Sequence, residues 1–176
     1  MAVAVLNEVL DKQKNLKNEF DKISNDLNDQ EKSFLKFLIY GVVRVKKTLD
    51  SVISLLYAGK ISNLKSEQKN ILRIGIYQLK FMNSVPDYAA VSTSVDLAKA
   101  HSYKFSKVTN GVLNSYLRNK EDIKIIMVTH DIFQAKRLAD EILFMNNGEV
   151  IEISKKMNFL KSKNILVKKF LSGSFF

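Results

Sequence analysis

The segment from Ile71 to Met82 constrains the fold of this chain more than any other, because it is apolar on most sides when placed on a helix. Its apolar side chains form two groups, Leu72, Ile76 and Leu79 on one side and Ile71, Ile74 and Phe81 on the other. A helix that is apolar on most sides is surrounded by other helices. We therefore predict a helical bundle with this segment at its centre.

Gly75 lies in the middle of this central helix. A glycine there costs about 1 kcal/mol relative to alanine, so we expect a neighbouring helix to cross closely at this position. The helix should end before Val85-Pro86, because the residue before a proline is biased out of the helical region. We place a turn at residues 83–85 and predict that another helix begins directly after Pro86.

Amphipathic segments precede and follow the central helix. Apolar residues at three-and-four spacing predict two helices, or one bent helix, between Val3 and Leu27. Further helices are expected from Asn28 or Asp29 to a basic end at residues 44–47, from a Thr48 cap to Tyr57, and from Phe105 to Leu117. The predicted fold is therefore mainly α, with about seven short helices in a bundle over residues 1–120.

Net charge points to a class of partner. The formal charge of +10 favours polyanions or acidic membrane surfaces. Residues 1–120 contain 19 basic and 11 acidic residues (19 − 11 = +8), and residues 121–176 contain 9 and 7 (9 − 7 = +2). A lysine-rich surface that is merely solvated would give the same count. Basic residues that end a helix, here Arg44, Lys46 and Lys47, would also stabilise the helix dipole.

Several kinds of site are excluded by composition. The chain has no cysteine, which excludes disulfides, thiolate metal sites and a cysteine nucleophile, and which suits the reducing cytoplasm that we expect as its location. The first residues, Met1 to Glu8, lack the basic start of a signal peptide. No run reaches the roughly 18 apolar residues of a membrane span. We predict no metal and no cofactor.

Blocks in the first 118 residues resemble the NusB family. They occur in the family's order, at residues 37–44, 48–50, 72–79, 85–86, 89–91, 95–99 and 110–113. The resemblance is strongest to the NusB-like N-terminal domain of bacterial ribosomal RNA cytosine-5 methyltransferases. That domain shares the Tyr-Gly-x-x-Arg pattern, here at residues 40–44, and the Val-Pro-x-x-Ala-Ala-Val pattern, here at residues 85–91.

The resemblance implies an all-helical RNA-binding domain without catalysis of its own. In antitermination the free-standing member binds RNA beside a ribosomal protein, and in the methyltransferase the domain helps to hold ribosomal RNA. We therefore expect RNA as the partner, ribosomal RNA above all, with a ribosomal or transcription-elongation protein as a second partner. The candidate phosphate contacts are Arg44, Lys46, Lys47, Lys104, Lys107 and Arg118.

Two features depart from the family pattern. Members usually begin with a basic, arginine-containing segment, whereas here Met1 is followed almost directly by Val3 and Val5. Ser92-Thr93 stands where Asn-Glu is common. The chain also lacks the catalytic domain and the cysteine of the methyltransferases, so we expect no enzymatic activity.

Residues 121–176 are predicted to form a separate small α/β tail, because the apolar periodicity changes there. We expect a strand at Ile123–Thr129, a helix at Asp131–Ala139, a hairpin of Glu141–Met145 with Glu149–Ile153, and a closing helix at Phe159–Phe170. The apolar strand would favour association if it were left uncovered.

The tail resembles the C-terminal end of an ABC transporter ATP-binding subunit, such as those of tungstate or other oxyanion importers. Residues 125–135, 138–140, 143–145 and 147–149 carry the resemblance, and His130 matches the switch histidine that senses the γ-phosphate in that family. No Gly-x-x-x-x-Gly-Lys-Ser/Thr loop occurs, so His130 is expected to be a remnant without ATPase activity. A transport-ATPase remnant and a helical protein-interaction module are the alternatives to RNA binding.

Overall fold

A computed structural model describes residues 1–173, and the chain forms two compact units. The first comprises Met1–Ile125, and the second begins at Ile126. The α-helices of the first unit are α1 Ala2–Leu10, α2 Leu16–Ser24, α3 Asp29–Arg44, α4 Lys46–Leu56, α5 Ser66–Phe81, α6 Asp87–His101 and α7 Tyr103–Asn119. A short 3-10 helix, Ile61–Asn63, lies between α4 and α5. The predicted helical bundle is confirmed.

Helix α5 is the centre of the first unit. Every residue from Asn70 to Gln78 is buried. Five helices contact it, namely α1, α3, α4, α6 and α7. These contacts confirm the predicted central helix. A segment that is apolar on most sides can bury all of those sides only when other helices surround it.

Two glycines lie at close helix crossings. A Cβ atom on Gly75 would lie 2.8 Å from Leu113 and 2.9 Å from the Ser94 hydroxyl oxygen, so α6 and α7 both approach α5 there. This confirms the expected close crossing. On α3, a Cβ atom on Gly41 would overlap the ring of the buried Tyr77. The α3–α5 contact therefore depends on the absence of a side chain at residue 41.

The helix boundaries follow local capping, with one correction. Asn28 begins α3 with a capping box, in which its side chain accepts from the Glu31 amide and the Glu31 carboxylate accepts from the Asn28 amide. Thr48 is not a cap, contrary to prediction, because α4 begins two residues earlier at Lys46. Val45, between α3 and α4, is buried, so packing rather than a side-chain cap sets this junction.

A buried arginine joins three helices. Arg73 on α5 donates from Nε and Nη2 to the two carboxylate oxygens of Asp50 on α4, at 2.6 and 2.9 Å. Its Nη1 donates to the side-chain oxygen of Asn70 at 2.7 Å, and Asn70 in turn donates to the side chain of Asn7 on α1 at 2.7 Å. A bidentate pair of this kind fixes the orientation of both groups.

A carboxylate on α1 provides an acid-sensitive contact. The Nζ atoms of Lys12 and Lys14 lie 2.6 and 2.5 Å from the two carboxylate oxygens of Glu8. Hydrogen bonds from Lys12 and then Lys14 lower the pKa of Glu8 from 4.5 to about 2. Because the folded-state pKa is the lower one, the contact stabilises the fold at neutral pH, and this stabilisation is lost as the pH falls from about 4.5 to about 2.

We expect Glu8→Gln to remove this acid dependence. The urea midpoint of the variant should lie below that of the parent chain at about pH 6, and the difference should shrink as the Glu8 carboxylate is protonated at lower pH. Urea unfolding followed by circular dichroism at several pH values measures it. A difference that stays constant down to about pH 3 would contradict the assignment.

The second unit is a hairpin covered by short helices. Its elements are α8 Ile132–Leu138, β1 Glu141–Asn146, β2 Glu149–Lys155, α9 Lys156–Phe159 and α10 Ile165–Leu171. The strands are antiparallel and joined at Asn147-Gly148, whose positive φ values of 51° and 81° suit a tight hairpin turn. The core of the unit comprises Ala135, Ile142, Phe144, Phe159 and Val167.

Two predictions for the tail are wrong. Residues Ile123–Thr129 form no strand, and Ile126 and Val128 are 89 % and 96 % exposed. A strand needs a hydrogen-bonded neighbour, and the two strands within residues 1–173 pair with each other. The predicted closing helix is instead two short helices, because the Asn164 side chain caps a new helix by accepting from the amides of Leu166 and Val167. The predicted helix α8 and the hairpin are confirmed.

Candidate nucleic-acid interface

Three of the predicted phosphate contacts lie along one exposed face of α7. Lys104, Lys107 and Arg118 are all exposed. At 3.6 residues per turn they fall within about 60° of one another around the helix axis, and Gly111 falls within the same sector. A rise of about 1.5 Å per residue places Lys104 about 21 Å from Arg118 along the axis. We call these four residues the α7 face; its cations form a line rather than a cluster.

An exposed tyrosine accompanies the lysines of the α7 face. Tyr103, the first residue of α7, is 69 % exposed. The Lys107 ammonium lies 5.1 Å from the centroid of its ring. An exposed ring next to cations can stack on a nucleic-acid base while the cations contact phosphates. Tyr103 was not predicted from the sequence, because an aromatic residue in an amphipathic helix is as typical of the core as of a binding site.

A groove runs between α6 and α7, with a volume of about 480 Å³. A second exposed tyrosine, Tyr88 at the start of α6, lines it, and so does Ser92, one of the two residues at which the chain departs from the family pattern. The other lining residues are Val91, Val95, Asp96, Lys99, Asn110, Asn114 and Leu117. The groove therefore combines apolar side chains with two amide side chains from α7, Asn110 and Asn114.

The other three predicted contacts lie at the α3–α4 junction, in unequal environments. Arg44 is exposed in the last turn of α3, where a cation is favourable. Contrary to prediction, Lys46 and Lys47 do not end α3 but lie in the first turn of α4, at the positive end of its dipole, so they gain no dipole stabilisation there. Lys46 is compensated by Asp50, whose Oδ2 lies 3.4 Å from its Nζ. Lys47 is exposed, and the helix dipole does not explain its charge.

His130 lies just before α8 and is exposed. The residues on either side of His130 form hydrogen bonds with nearby residues of α8. The Thr129 hydroxyl donates to the Gln134 side-chain oxygen at 2.8 Å, and Asp131 caps α8. The 176-residue sequence contains no glycine-rich phosphate loop that could hold a triphosphate beside this histidine. The role of His130 as a nucleotide-switch remnant stays a prediction.

Within residues 1–173, the histidine and acidic side chains form no group of three or more that could hold a metal ion. In that same part of the chain, no helix combines the length and the apolar character needed to cross a membrane.

Comparison with known proteins identifies the family of the helical unit. The family model described as the NusB family matches residues 1–118. A probable ribosomal RNA small subunit methyltransferase B of Synechocystis sp. is 42 % identical over 102 residues, which are 57 % of this chain and 23 % of that protein. The transcription antitermination protein NusB of Listeria monocytogenes is 31 % identical over 93 residues, 52 % of this chain and 73 % of that protein. The matched region thus spans less than a quarter of the methyltransferase.

Solved structures show the same fold. A crystal structure of the antitermination factors NusB and NusE in complex with dsRNA matches with a TM-score of 0.61 and 27 % identity, covering 66 % of this chain and 90 % of that one. A crystal structure of a plectonemic RNA supercoil matches with a TM-score of 0.63 and 26 % identity, covering 70 % and 93 %. The family match ends at residue 118, so the similarity of the tail to transporter ATPases stays a prediction. With its helical bundle around α5 and a family match over two thirds of its length, the chain belongs to the NusB family.

Proposed function

We propose that residues 1–118 form a non-catalytic RNA-binding domain whose phosphate contacts come chiefly from the α7 face. The alignment of Lys104, Lys107 and Arg118 on one exposed side of a single helix carries this proposal. It is supported by the net charge of +10 and by the structural neighbour in which NusB and NusE are in complex with dsRNA. The methyltransferase relatives make ribosomal RNA the first RNA to test.

The α7 face acts through electrostatics. Each ammonium or guanidinium that neutralises a phosphate releases condensed counterions, so affinity falls as salt concentration rises. Three contacts on a single strand give a slope of log K against log salt of about −2, which is about a 20-fold loss between 50 and 200 mM salt. Lys47 and Arg44 lie on other helices and would steepen this slope if the RNA also reaches the α3–α4 junction.

We expect the double substitution Lys104→Ala and Lys107→Ala to weaken RNA binding and to reduce the magnitude of the salt slope by about 1.4, because two phosphate contacts are lost. Fluorescence anisotropy with a labelled ribosomal RNA fragment at several salt concentrations measures both quantities. Lys17→Ala, at an exposed lysine on α2, is the matched control and should leave both unchanged. Salt-independent binding, or equal losses in the control, would contradict the proposal.

Tyr103 should contribute through stacking rather than charge. Removing its ring with Tyr103→Ala is expected to weaken binding to an unstructured oligoribonucleotide about tenfold, within the 1–3 kcal/mol measured for base–aromatic stacking, and to leave the salt slope unchanged. Tyr103→Phe keeps the ring and should bind like the parent chain. The same anisotropy titration tests both variants. If Tyr103→Phe lost as much affinity as Tyr103→Ala, the hydroxyl rather than stacking would be responsible.

A protein partner is part of the same proposal. The structural neighbour combines NusB with NusE, which supports a ribosomal or transcription-elongation protein as a second ligand of this chain. The aligned residues span only 23 % of the methyltransferase relative, and the role that we propose for them is RNA holding. For the tail we propose no activity, because a switch histidine without a phosphate-binding loop cannot position a triphosphate.

A further inference from the structure

One face of the β1–β2 hairpin is apolar and exposed. Leu143 and Ile153 are register partners, and so are Met145 and Val150. These four side chains are 52–58 % exposed. Residues of the opposite face, such as Ile142 and Phe144, enter the core of the second unit. We call Leu143, Met145, Val150 and Ile153 the hairpin patch. Contiguous apolar surface of this kind is typical of a binding site.

Charges border the hairpin patch at one end. Glu141 on β1 and Lys155 on β2 are register partners, and both are exposed. Because side chains alternate along a strand, Glu141 lies on the same face as Leu143, and Lys155 lies on the same face as Ile153. The register shifts between Phe144 and Met145 and skips Ile151, which places Val150 on the same face as Ile153. On this face each strand presents one charge at the end of the patch and two apolar residues beside it, and the two charges have opposite sign.

We propose that this face binds the same face of a second copy of the chain, around a two-fold axis that lies between the two hairpins and runs parallel to their strands. Such an axis places β1 of one copy over β2 of the other at the same height. Leu143 then faces Ile153 of the second copy, and Glu141 faces Lys155 of the second copy. Sheets packed in this way lie about 10 Å apart, with their apolar side chains between them.

The strand register of the hairpin favours a second copy of the chain as the binding partner of the hairpin patch. A two-fold interface uses one surface twice, so that surface must be complementary to itself. Exchange of β1 and β2 across the proposed axis pairs each carboxylate with an ammonium and each apolar side chain with an apolar one. A partner with charge of only one sign at this end would be repelled by either Glu141 or Lys155. The second copy presents Lys155 to Glu141 and Glu141 to Lys155, so both charges are paired.

The test uses the full chain without RNA, followed by sedimentation velocity over a range of concentrations. The monomer mass is 20.1 kDa, and the expected species at high concentration has twice that mass. Leu143→Lys should leave only monomer. Leu55→Lys, at an exposed leucine of α4 outside the hairpin patch, is the matched control and should still dimerise. Ile153→Thr, which keeps strand propensity, should weaken the dimer and separates loss of contact from unfolding of the hairpin.

Charge reversal gives the sharper result. Glu141→Lys alone, or Lys155→Glu alone, places like charges opposite each other and should weaken the dimer at least about tenfold. An equimolar mixture of these two variants should dimerise again, because each variant then faces the opposite charge. A chain that stays monomeric at every concentration, a dimer unaffected by Leu143→Lys, or a mixture that fails to recover would overturn the proposal.

Discussion

Replacement of Gly41 by alanine is expected to destabilise the helical unit by about 3 kcal/mol, the upper part of the range for overpacking a core. The added methyl group would overlap the ring of Tyr77. That ring is fully buried and packs against Phe37 and Phe81, with centroid distances of 6.1 and 5.1 Å. Because the ring is buried against these neighbours, relief of the clash requires the ring to repack or α3 to move away from α5.

Urea unfolding followed by far-UV circular dichroism measures this loss. Gly111→Ala is the matched control, because a Cβ atom there would meet nothing within 4 Å, and it should stabilise the chain by about 0.5–1 kcal/mol through helix propensity. Combining Gly41→Ala with Tyr77→Leu should cost less than the sum of the two single changes, since the smaller side chain makes room. A Gly41→Ala chain as stable as the parent would refute the packing argument.

Removal of the carboxylate of Asp50 is expected to have an effect of similar size. Asp50→Ala leaves the Arg73 guanidinium, whose side chain is 5 % exposed, with its hydrogen bond to Asn70 but without a carboxylate. Breaking a buried pair by removing one member costs about 3–5 kcal/mol, because an uncompensated charge stays in the core. We expect about 3 kcal/mol, since the Asp50 side chain is itself 25 % exposed and water can enter its place.

A double-mutant cycle separates this cost from the loss of packing. Asp50→Ala together with Arg73→Met should be more stable than Asp50→Ala alone, because the unpaired charge is gone. Asp96→Ala breaks the surface pair with Lys99, at 2.9 Å, and should change the free energy of unfolding by less than about 0.5 kcal/mol. Equal effects of Asp50→Ala and Asp96→Ala would show that the buried pair contributes no more than a surface one.

Lys46 connects this pair to the proposed RNA interface. Its ammonium contacts the same Asp50 carboxylate that holds Arg73, so a substitution at Lys46 changes both fold stability and surface charge. Lys104 and Lys107 on α7 are better probes of RNA binding, because neither is paired with the buried network. Stability should therefore be measured alongside affinity for every variant at the α3–α4 junction.

The sequence alone determined the helical bundle, the central position of α5 and the close helix crossing at Gly75. These conclusions rest on apolar periodicity, which is strong when a helix is surrounded on most sides. The cations of the α7 face were also predicted from the sequence. Their alignment follows from helix geometry once α7 is known to be continuous from Tyr103 to Asn119.

Tertiary structure decided what depends on contacts between distant residues. Ile123–Thr129 has the composition of a strand, yet it forms none, because a strand exists only when a neighbouring segment shares its hydrogen bonds. The pairing of Asp50 with Arg73, the exposure of Tyr103 and the uncovered hairpin patch likewise appear only in the folded chain. Periodicity reports which side of an element is apolar; only packing determines which element, if any, covers it.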